Sequence, residues 1–132
     1  MRIFIDTSAF FALLDRDDDN QEAAKKIWAK MLSAENTLVT DNYVLVETFA
    51  LLQSRLGVSA VRAFQEDVLP IVNIEFVNPE THRAGIAALL ASSKRNLSLV
   101  DCVSFEVMRT LGIRTAFAFD AHFKEAGFPI LT

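Results

Sequence analysis

Short apolar runs alternate with longer stretches of helical periodicity along the whole sequence. Strands and helices that alternate in this way build a parallel sheet, because each helix returns the chain to the edge where the next strand begins. We therefore predict an α/β fold with a mainly parallel sheet covered by helices. The strands are predicted at 2–5, 37–40, 71–77, 114–119 and 129–131. The helices are predicted at 7–14, 21–35, 42–56, 59–68, 79–94, 98–112 and 121–126.

Size and composition indicate a single domain, 1–132, because 132 residues of which 52% are hydrophobic can bury a large core. The one cysteine, Cys102, excludes an intramolecular disulfide and indicates a reducing compartment. Asp6 comes too early for a signal peptide, and no apolar run approaches the roughly 20 residues that span a bilayer, so we expect a cytoplasmic protein. The net charge of −4 argues against binding nucleic acid through bulk electrostatics. It does not exclude a nuclease, because ions held by carboxylates reverse the charge locally.

Four acidic residues stand among apolar residues, where an uncompensated charge is costly to bury. Asp6 and Asp120 each follow an apolar run directly, and Asp101 lies in the first turn of a predicted helix. Glu47 lies in the middle of another helix, on a mostly apolar face, so we expect its side chain to point inward. Open parallel sheets bind ligands beyond the carboxyl ends of their strands, so we expect the four side chains to meet in one cleft there.

A bound divalent cation is the simplest compensation for four such carboxylates. Few Lys or Arg residues stand near these positions as alternative partners. Carboxylate oxygens are the ligands that Mg²⁺ and Mn²⁺ prefer. A metal held in this way lowers the pKa of bound water and stabilises charge on a phosphodiester. The pattern therefore predicts metal-assisted chemistry on phosphate.

Each aspartate also has a purely structural interpretation. Asp6 and Asp120 can cap the helices that follow them, since an aspartate oxygen accepts hydrogen bonds from the first backbone N–H groups of a helix. The stretch 98–101 has the pattern of a capping box in which Asp101 takes the place of glutamate. One such residue is weak evidence for a metal site, and the set of four is stronger.

Glu47 caps nothing, so its structural alternative is a buried salt bridge to Arg55 or Arg109. The two histidines, His82 and His122, lack the spacing of metal ligands, and we expect both at the surface.

Four stretches contain the acidic residues, namely 5–9 (IDTSA), 42–48 (NYVLVET), 97–105 (LSLVDCVSF) and 118–123 (AFDAHF). In order and spacing these stretches resemble the PIN-domain ribonucleases, and most closely the VapC toxins of bacterial toxin–antitoxin pairs. Together they extend over essentially the whole chain. The resemblance implies a single domain with a three-layer α/β/α PIN-like fold.

The resemblance also implies an activity, a cofactor and partners. It implies Mg²⁺- or Mn²⁺-dependent endonucleolytic cleavage of RNA, whether tRNA, rRNA or mRNA, by a homodimer that a small antitoxin protein neutralises. It carries over, as the catalytic and metal-binding quartet, Asp6, Glu47, Asp101 and Asp120. Within this quartet we expect Asp6 and Asp101 to hold the principal metal, with Asp120 as a further candidate ligand, and Glu47 to position water or a second ion. Ser8 and Thr40 match small polar positions that support the site.

Three other functions remain open from the sequence. A phosphoacceptor receiver domain also binds Mg²⁺ at strand ends, but it would need an acidic pair after the first strand, where Thr7 and Ser8 follow Asp6. A phosphatase of the haloacid dehalogenase type would need an aspartate in place of Ser8. A PIN-like fold could also serve as a non-catalytic binding module, against which the intact quartet argues.

Overall fold

Four strands and seven α-helices make up the chain in the computed structural model, which describes residues 1–132. The strands are β1 (Arg2–Ile5), β2 (Thr37–Asp41), β3 (Asn73–Glu75) and β4 (Thr115–Phe117). The helices are α1 (Thr7–Leu14), α2 (Gln21–Ser33), α3 (Asn42–Arg55), α4 (Val58–Ala63), α5 (Pro79–Ala91), α6 (Leu99–Leu111) and α7 (Ala121–Glu125). None of these helices has both the length and the apolar character that crossing a membrane requires.

The strands form one parallel sheet in the order β3-β2-β1-β4, between two layers of helices. The predicted three-layer α/β/α fold is therefore confirmed. From β1 the chain proceeds to β2 on one side, and later returns to β4 on the other side of β1. Ile5 pairs with Phe117, and the Asp6 backbone N–H donates to the Phe117 carbonyl at 3.1 Å. The carboxyl ends of β1 and β4 thus lie together at the point where the strand order reverses, which is where such sheets bind ligands.

Most helices begin at a polar side chain that accepts a hydrogen bond from the first turn of the backbone. These N-cap residues are Asp6, Asp41, Asn78, Ser98 and Asp120. At the start of α6 the Ser98 hydroxyl accepts from the Asp101 N–H, and the Asp101 carboxylate accepts from the Ser98 N–H. The predicted caps at Asp6 and Asp120 and the predicted capping box are all confirmed.

Phenylalanine rings fill much of the core, and they fix the helices that carry the acidic residues. Phe10 of α1 meets Phe64 edge to face, with ring centroids 4.9 Å apart. Phe123 of α7 meets Phe105 of α6 in the same way at 5.1 Å. Burying an aromatic side chain of this kind contributes roughly 2–3 kcal/mol. These contacts hold α1, α6 and α7 against the core at the end of the sheet where Asp6, Asp101 and Asp120 lie.

Two predicted strands are shorter than expected, because their ends make other hydrogen bonds. The strand predicted at 71–77 is reduced to β3, since residues 69–71 form a 3₁₀ turn and the Val77 N–H donates to the Asn42 side chain at 2.7 Å. The strand predicted at 114–119 is reduced to β4, since the Phe119 N–H donates to the Ser8 hydroxyl at 2.9 Å. The second departure draws the chain out of the sheet and toward Asp6.

The last predicted strand, 129–131, contributes a single parallel bridge between Ile130 and Ala116. The predicted helix 59–68 is wrong as one helix. It begins earlier, at Val58 after Gly57, and the chain from Phe64 to Val68 widens into a π-helical turn. Phe64 is fully buried, and this turn lets the chain keep that ring in the core before it reaches β3.

The contact between α5 and α6 depends on the absence of a side chain at Gly85. A Cβ atom at this position would lie 2.5 Å from Cγ2 of Val103 and 3.3 Å from its backbone. We expect Gly85→Ala to lower the free energy of unfolding by roughly 1–3 kcal/mol, because the helices must move apart to relieve this overlap. Urea unfolding followed by circular dichroism measures the loss. In a protein that already carries Val103→Ala, Gly85→Ala should lower the free energy of unfolding by less. An equal loss with and without Val103→Ala would show that overlap with the Val103 side chain is not the cause.

Candidate functional site

The four predicted acidic residues approach one another at the carboxyl end of the sheet, as expected. Asp6 lies between β1 and α1, and Asp120 lies between β4 and α7. Asp101 is in the first turn of α6, and Glu47 is in α3. Burial raises the pKa of both Asp6 and Glu47, and the charges of Asp101 and Asp120 raise it further, which places all four in one electrostatic cluster.

Asp6 is the most deeply buried member of the cluster, with only 4% of its surface exposed. Its Oδ2 atom accepts hydrogen bonds from the Ser8 N–H at 3.2 Å and from the Ser8 hydroxyl at 2.7 Å. Burial nevertheless raises the pKa of Asp6 from 3.8 to about 7, and the Ser8 hydrogen bonds only partly offset this. A bound cation would favour the charged carboxylate here.

Asp101 and Asp120 also direct one oxygen toward the backbone. Asp101 Oδ2 accepts from the Ser98 N–H at 3.3 Å, and Asp120 Oδ1 accepts from the His122 N–H at 2.8 Å. The remaining oxygen of each aspartate receives no hydrogen bond from the protein, and no buried side-chain oxygen lacks a partner. Those remaining oxygens are therefore at least partly exposed and can bind a ligand. A cap and a ligand are compatible roles for one carboxylate, because they use different oxygens.

Glu47 differs from the prediction, because its side chain is exposed and does not point into the core. Desolvation still raises its pKa, with a smaller contribution from the charges of Asp101 and Asp120 and an opposing one from the Thr7 hydroxyl. The salt-bridge alternative is wrong, since Arg109 pairs with Glu106 and Arg55 lies over the Phe11 ring. Glu47 therefore lies at the mouth of the cluster, facing solvent.

His122 is not the surface residue that its spacing suggests. Its side chain is only 12% exposed, and its Nδ1 atom lies 3.0 Å from both Asp101 Oδ2 and Asp120 Oδ1. These three residues form a group close enough to surround an ion. The sequence does not reveal this role, because His122 and Asp101 are 21 positions apart and meet only in the folded chain. His82 also departs from a simple surface role, since its ring is hydrogen-bonded to the Tyr43 hydroxyl.

The two small polar residues predicted to support the site lie at different distances from it. Ser8 joins both sides of the cleft, since its hydroxyl donates to Asp6 and accepts from the Phe119 N–H. Thr40 is fully buried and donates to the Ile5 carbonyl at 2.8 Å. Ser8 therefore orients the carboxylate itself, whereas Thr40 stabilises the end of the strand that carries it.

A fifth carboxylate, Asp41, lies at the end of β2 and was not predicted. It is completely buried, and it accepts from the Val44 N–H at 2.8 Å and from the Ser104 hydroxyl at 2.9 Å. Burial raises the pKa of Asp41 to about 6 despite these hydrogen bonds. Asp41 thus ties α3 to α6, the helices of Glu47 and Asp101. An aspartate between an apolar strand and a helix is the same signal that identified Asp6.

Removing the donor of this buried contact is expected to destabilise the protein. Ser104→Ala would leave Asp41 Oδ2 without its only side-chain donor, so we expect a loss of roughly 1–3 kcal/mol at pH 8. Urea unfolding measures this change. Ser54→Ala is the matched control, because that hydroxyl is exposed and bonds only the Leu51 carbonyl of its own helix. A loss no larger than that of the control would show that the Asp41–Ser104 contact contributes little.

A divalent cation fits the residues present. Asp101 and Asp120 lie close enough together to share an ion, the charge of each acts on Asp6, and no lysine or arginine pairs with any acidic residue of the cluster. The donor set consists of oxygens, which suits a hard cation such as Mg²⁺ or Mn²⁺. Beside the cluster, a cavity of about 340 Å³ opens along α3, and Glu47 forms part of its wall. It is lined by Asn42, Tyr43, Val46, Glu47 and Val100. The site therefore combines a negatively charged centre with room for a ligand next to it.

Comparison with known proteins gives a match over nearly the whole chain. The model of the family described as "PIN domain" matches residues 3–129. The 23S rRNA-specific endonuclease VapC20 of Mycobacterium tuberculosis is 39% identical over 127 residues, which cover 96% of this chain and 95% of the relative. A crystal structure of VapC20, described as a Sarcin-Ricin loop cleaving toxin, superposes with a TM-score of 0.86 at 38% identity, again over 96% and 95% of the two chains.

More distant solved structures share the fold. VapBC2 from Rickettsia felis, bound to a DNA fragment from its promoter, gives a TM-score of 0.68 at 12% identity, over 99% of this chain and 98% of that one. FitAcB from Neisseria gonorrhoeae gives 0.71 at 14% identity, over 100% and 97%. At this level of identity the likeness concerns architecture alone.

Proposed function

The chain belongs to the PIN domain family, and we propose that it is an endoribonuclease that uses Mg²⁺ or Mn²⁺ to hydrolyse RNA phosphodiesters. The observation that best supports this proposal is that the two oxygens of each aspartate have different surroundings. One oxygen of each of Asp6, Asp101 and Asp120 accepts a hydrogen bond from the protein, and the other accepts none. Family membership sets aside the receiver-domain and phosphatase interpretations.

The roles of the four acidic residues follow from their positions. The open oxygens of Asp6, Asp101 and Asp120 would hold the ion, with their directions set by the caps of α1, α6 and α7. Glu47 faces solvent at the mouth, so its carboxylate would accept a hydrogen bond from the attacking water and orient it. The bound ion would lower the pKa of water and stabilise the charge that develops on phosphate. We assign no role in the chemistry to Asp41, because both of its oxygens face the protein interior.

We propose ribosomal RNA as the substrate class. The support is the 39% identity to an endonuclease specific for 23S rRNA, which extends over 95% of that protein. A substrate in the ribosome would also agree with the reducing, cytoplasmic location expected from the single cysteine.

We also propose two protein partners, a second copy of the chain and a small antitoxin. Three large apolar side chains are strongly exposed, namely Val46 (70%), Phe76 (71%) and Leu90 (79%). Exposed apolar residues that stand singly are common, so the support for a partner here is the position of Val46 beside the cavity. Val46 also lines the cavity next to Glu47, so a partner bound there would restrict access to the acidic residues. Light scattering should give twice the chain mass of 14.7 kDa, and a mass of one chain at micromolar concentration would contradict the dimer.

The chemistry of the cut ends tests the proposed reaction. Attack by water leaves a 5′-phosphate and a 3′-hydroxyl, whereas attack by the neighbouring 2′-hydroxyl leaves a 2′,3′-cyclic phosphate. We expect the first pair of ends after incubation of the purified protein with ribosomes and Mn²⁺, and no cut when EDTA is present. Ligation-based mapping of 5′-phosphates locates the site. Cyclic phosphate ends, or cleavage that EDTA leaves unchanged, would contradict metal-assisted hydrolysis.

A further inference from the structure

His122 joins two carboxylates that come from different parts of the chain. Its Nδ1 atom lies 3.0 Å from Asp101 Oδ2, at the start of α6, and 3.0 Å from Asp120 Oδ1, at the start of α7. A carboxylate oxygen accepts, so the ring N–H donates to Asp101 Oδ2 and lies in close contact with Asp120 Oδ1. The side chain is 12% exposed, and its other surroundings include the hydrophobic Leu97 and Phe105. The ring is therefore held in place between the two helix starts.

The oxygens that His122 contacts are the ones that already serve as caps. Asp101 Oδ2 also accepts from the Ser98 N–H, and Asp120 Oδ1 also accepts from the backbone N–H of His122 itself. The second oxygen of each carboxylate has no partner in the protein. Hydrogen bonds to the protein-facing oxygens fix the rotation of both carboxylates, and this determines where the open oxygens point. The ring N–H also offsets the repulsion between two acidic groups held close together.

We propose that His122 is a positioning residue for the metal centre, which sets the spacing of Asp101 and Asp120 without binding the ion itself. This inference rests on the proposed function, because it assumes that the open oxygens hold a divalent cation. A direct ligand role is the competing possibility, since Nδ1 lies among the carboxylate oxygens. The geometry favours positioning, because Nδ1 faces the capping oxygens.

Three variants separate positioning from a general structural role. In His122→Asn the amide nitrogen takes nearly the place of Nδ1 and can donate to the same oxygens. In His122→Gln the amide lies one bond further out, and in His122→Ala the donor is absent. We expect His122→Ala and His122→Gln to bind Mn²⁺ about 10–100-fold more weakly than the parent, and His122→Asn to bind nearly as tightly. His82→Ala, at the only other histidine, is the matched control and should leave the affinity unchanged.

Calorimetric titration with Mn²⁺ measures these affinities on the purified protein, and pulsed electron paramagnetic resonance of the bound Mn²⁺ detects nitrogen ligands. We expect bound Mn²⁺ without the strong coupling of a directly bonded nitrogen.

Such a coupling, present in the parent and lost in His122→Ala, would overturn the inference in favour of a ligand role. Unchanged affinity in both His122→Ala and His122→Gln would overturn it while leaving the metal centre intact. No Mn²⁺ binding by the parent would overturn the inference and the proposed function together. If His122→Ala fails to fold, the Mn²⁺ affinities of His122→Asn and His122→Gln are compared instead, and equal affinities would overturn the inference.

Discussion

Asp6→Asn is expected to reduce metal-dependent RNA cleavage by on the order of a thousandfold while the protein stays folded. The change removes the charge of the most buried acidic residue, and metal-derived stabilisation of the transition state is worth several kcal/mol, at tenfold in rate for each 1.4 kcal/mol. Asparagine caps a helix as well as aspartate does, so α1 should keep its start. Initial rates on a ribosomal RNA substrate, with circular dichroism of the same samples, measure both parts of the expectation.

Asp19→Asn is the matched control for this loss. Asp19 is an exposed aspartate in the loop between α1 and α2, and the same change there should leave the rate unaltered. Asp101→Asn should resemble Asp6→Asn, since its capping box can also be kept by an amide. Cleavage by folded Asp6→Asn at the parent rate would contradict the assignment of Asp6 as a ligand.

The second large effect expected of Asp6→Asn is on stability, which the change should increase although it abolishes activity. Burial raises the pKa of Asp6 to about 7 from its ordinary 3.8, so the folded protein retains a proton that the unfolded chain releases between pH 4 and 7. In EDTA this group therefore lowers the free energy of unfolding as the pH rises through that window. The deficit is complete above pH 7 and amounts to about 4 kcal/mol at 1.36 kcal/mol for each pKa unit.

Asp6→Asn should remove this deficit, so the inactive variant should be more stable than the parent at pH 8 in EDTA, by up to about 4 kcal/mol. The difference should become small toward pH 4, because the carboxyl of the unfolded chain is then close to its ordinary pKa of 3.8 and holds much of its proton. Adding Mn²⁺ at 100 times its dissociation constant should stabilise the parent by about 2.7 kcal/mol and the variant far less. Urea unfolding at the two pH values measures each quantity. A variant less stable than the parent at pH 8 in EDTA would show that burial of Asp6 carries no such cost.

The sequence predicts the sheet and most of the acidic cluster because both depend on local order. An apolar strand that runs into an aspartate places that aspartate at the carboxyl edge of a parallel sheet, whatever the details of packing. Asp6 is a case of this rule, whereas Asp120 follows two further residues after the end of β4. The structural interpretations of the aspartates also proved right, since capping and an open oxygen coexist in one carboxylate. The roles of these residues in metal binding and catalysis stay predictions.

The remaining features depend on contacts between distant segments. His122 faces Asp101 only because α7 packs beside the start of α6, and no spacing within the sequence encodes that approach. Glu47 is exposed because the surface of α3 that holds it borders an open cleft, which its apolar neighbours do not reveal. The shortened β4 has the same kind of cause, since the Phe119 N–H bonds Ser8 from the other end of the chain.

Cleavage of ribosomal RNA by the purified protein, with and without divalent ions, is the most direct test that this chain is a metal-dependent ribonuclease. The protein is first treated with EDTA, and Mg²⁺ or Mn²⁺ is then restored in excess, with Asp6→Asn assayed beside it. We expect a discrete cut in the large ribosomal RNA that disappears with EDTA, returns with the ion and is absent in the variant. Cleavage that persists in EDTA or in the variant, or no ion-dependent cleavage of any RNA by a preparation free of bound protein partners, would contradict it.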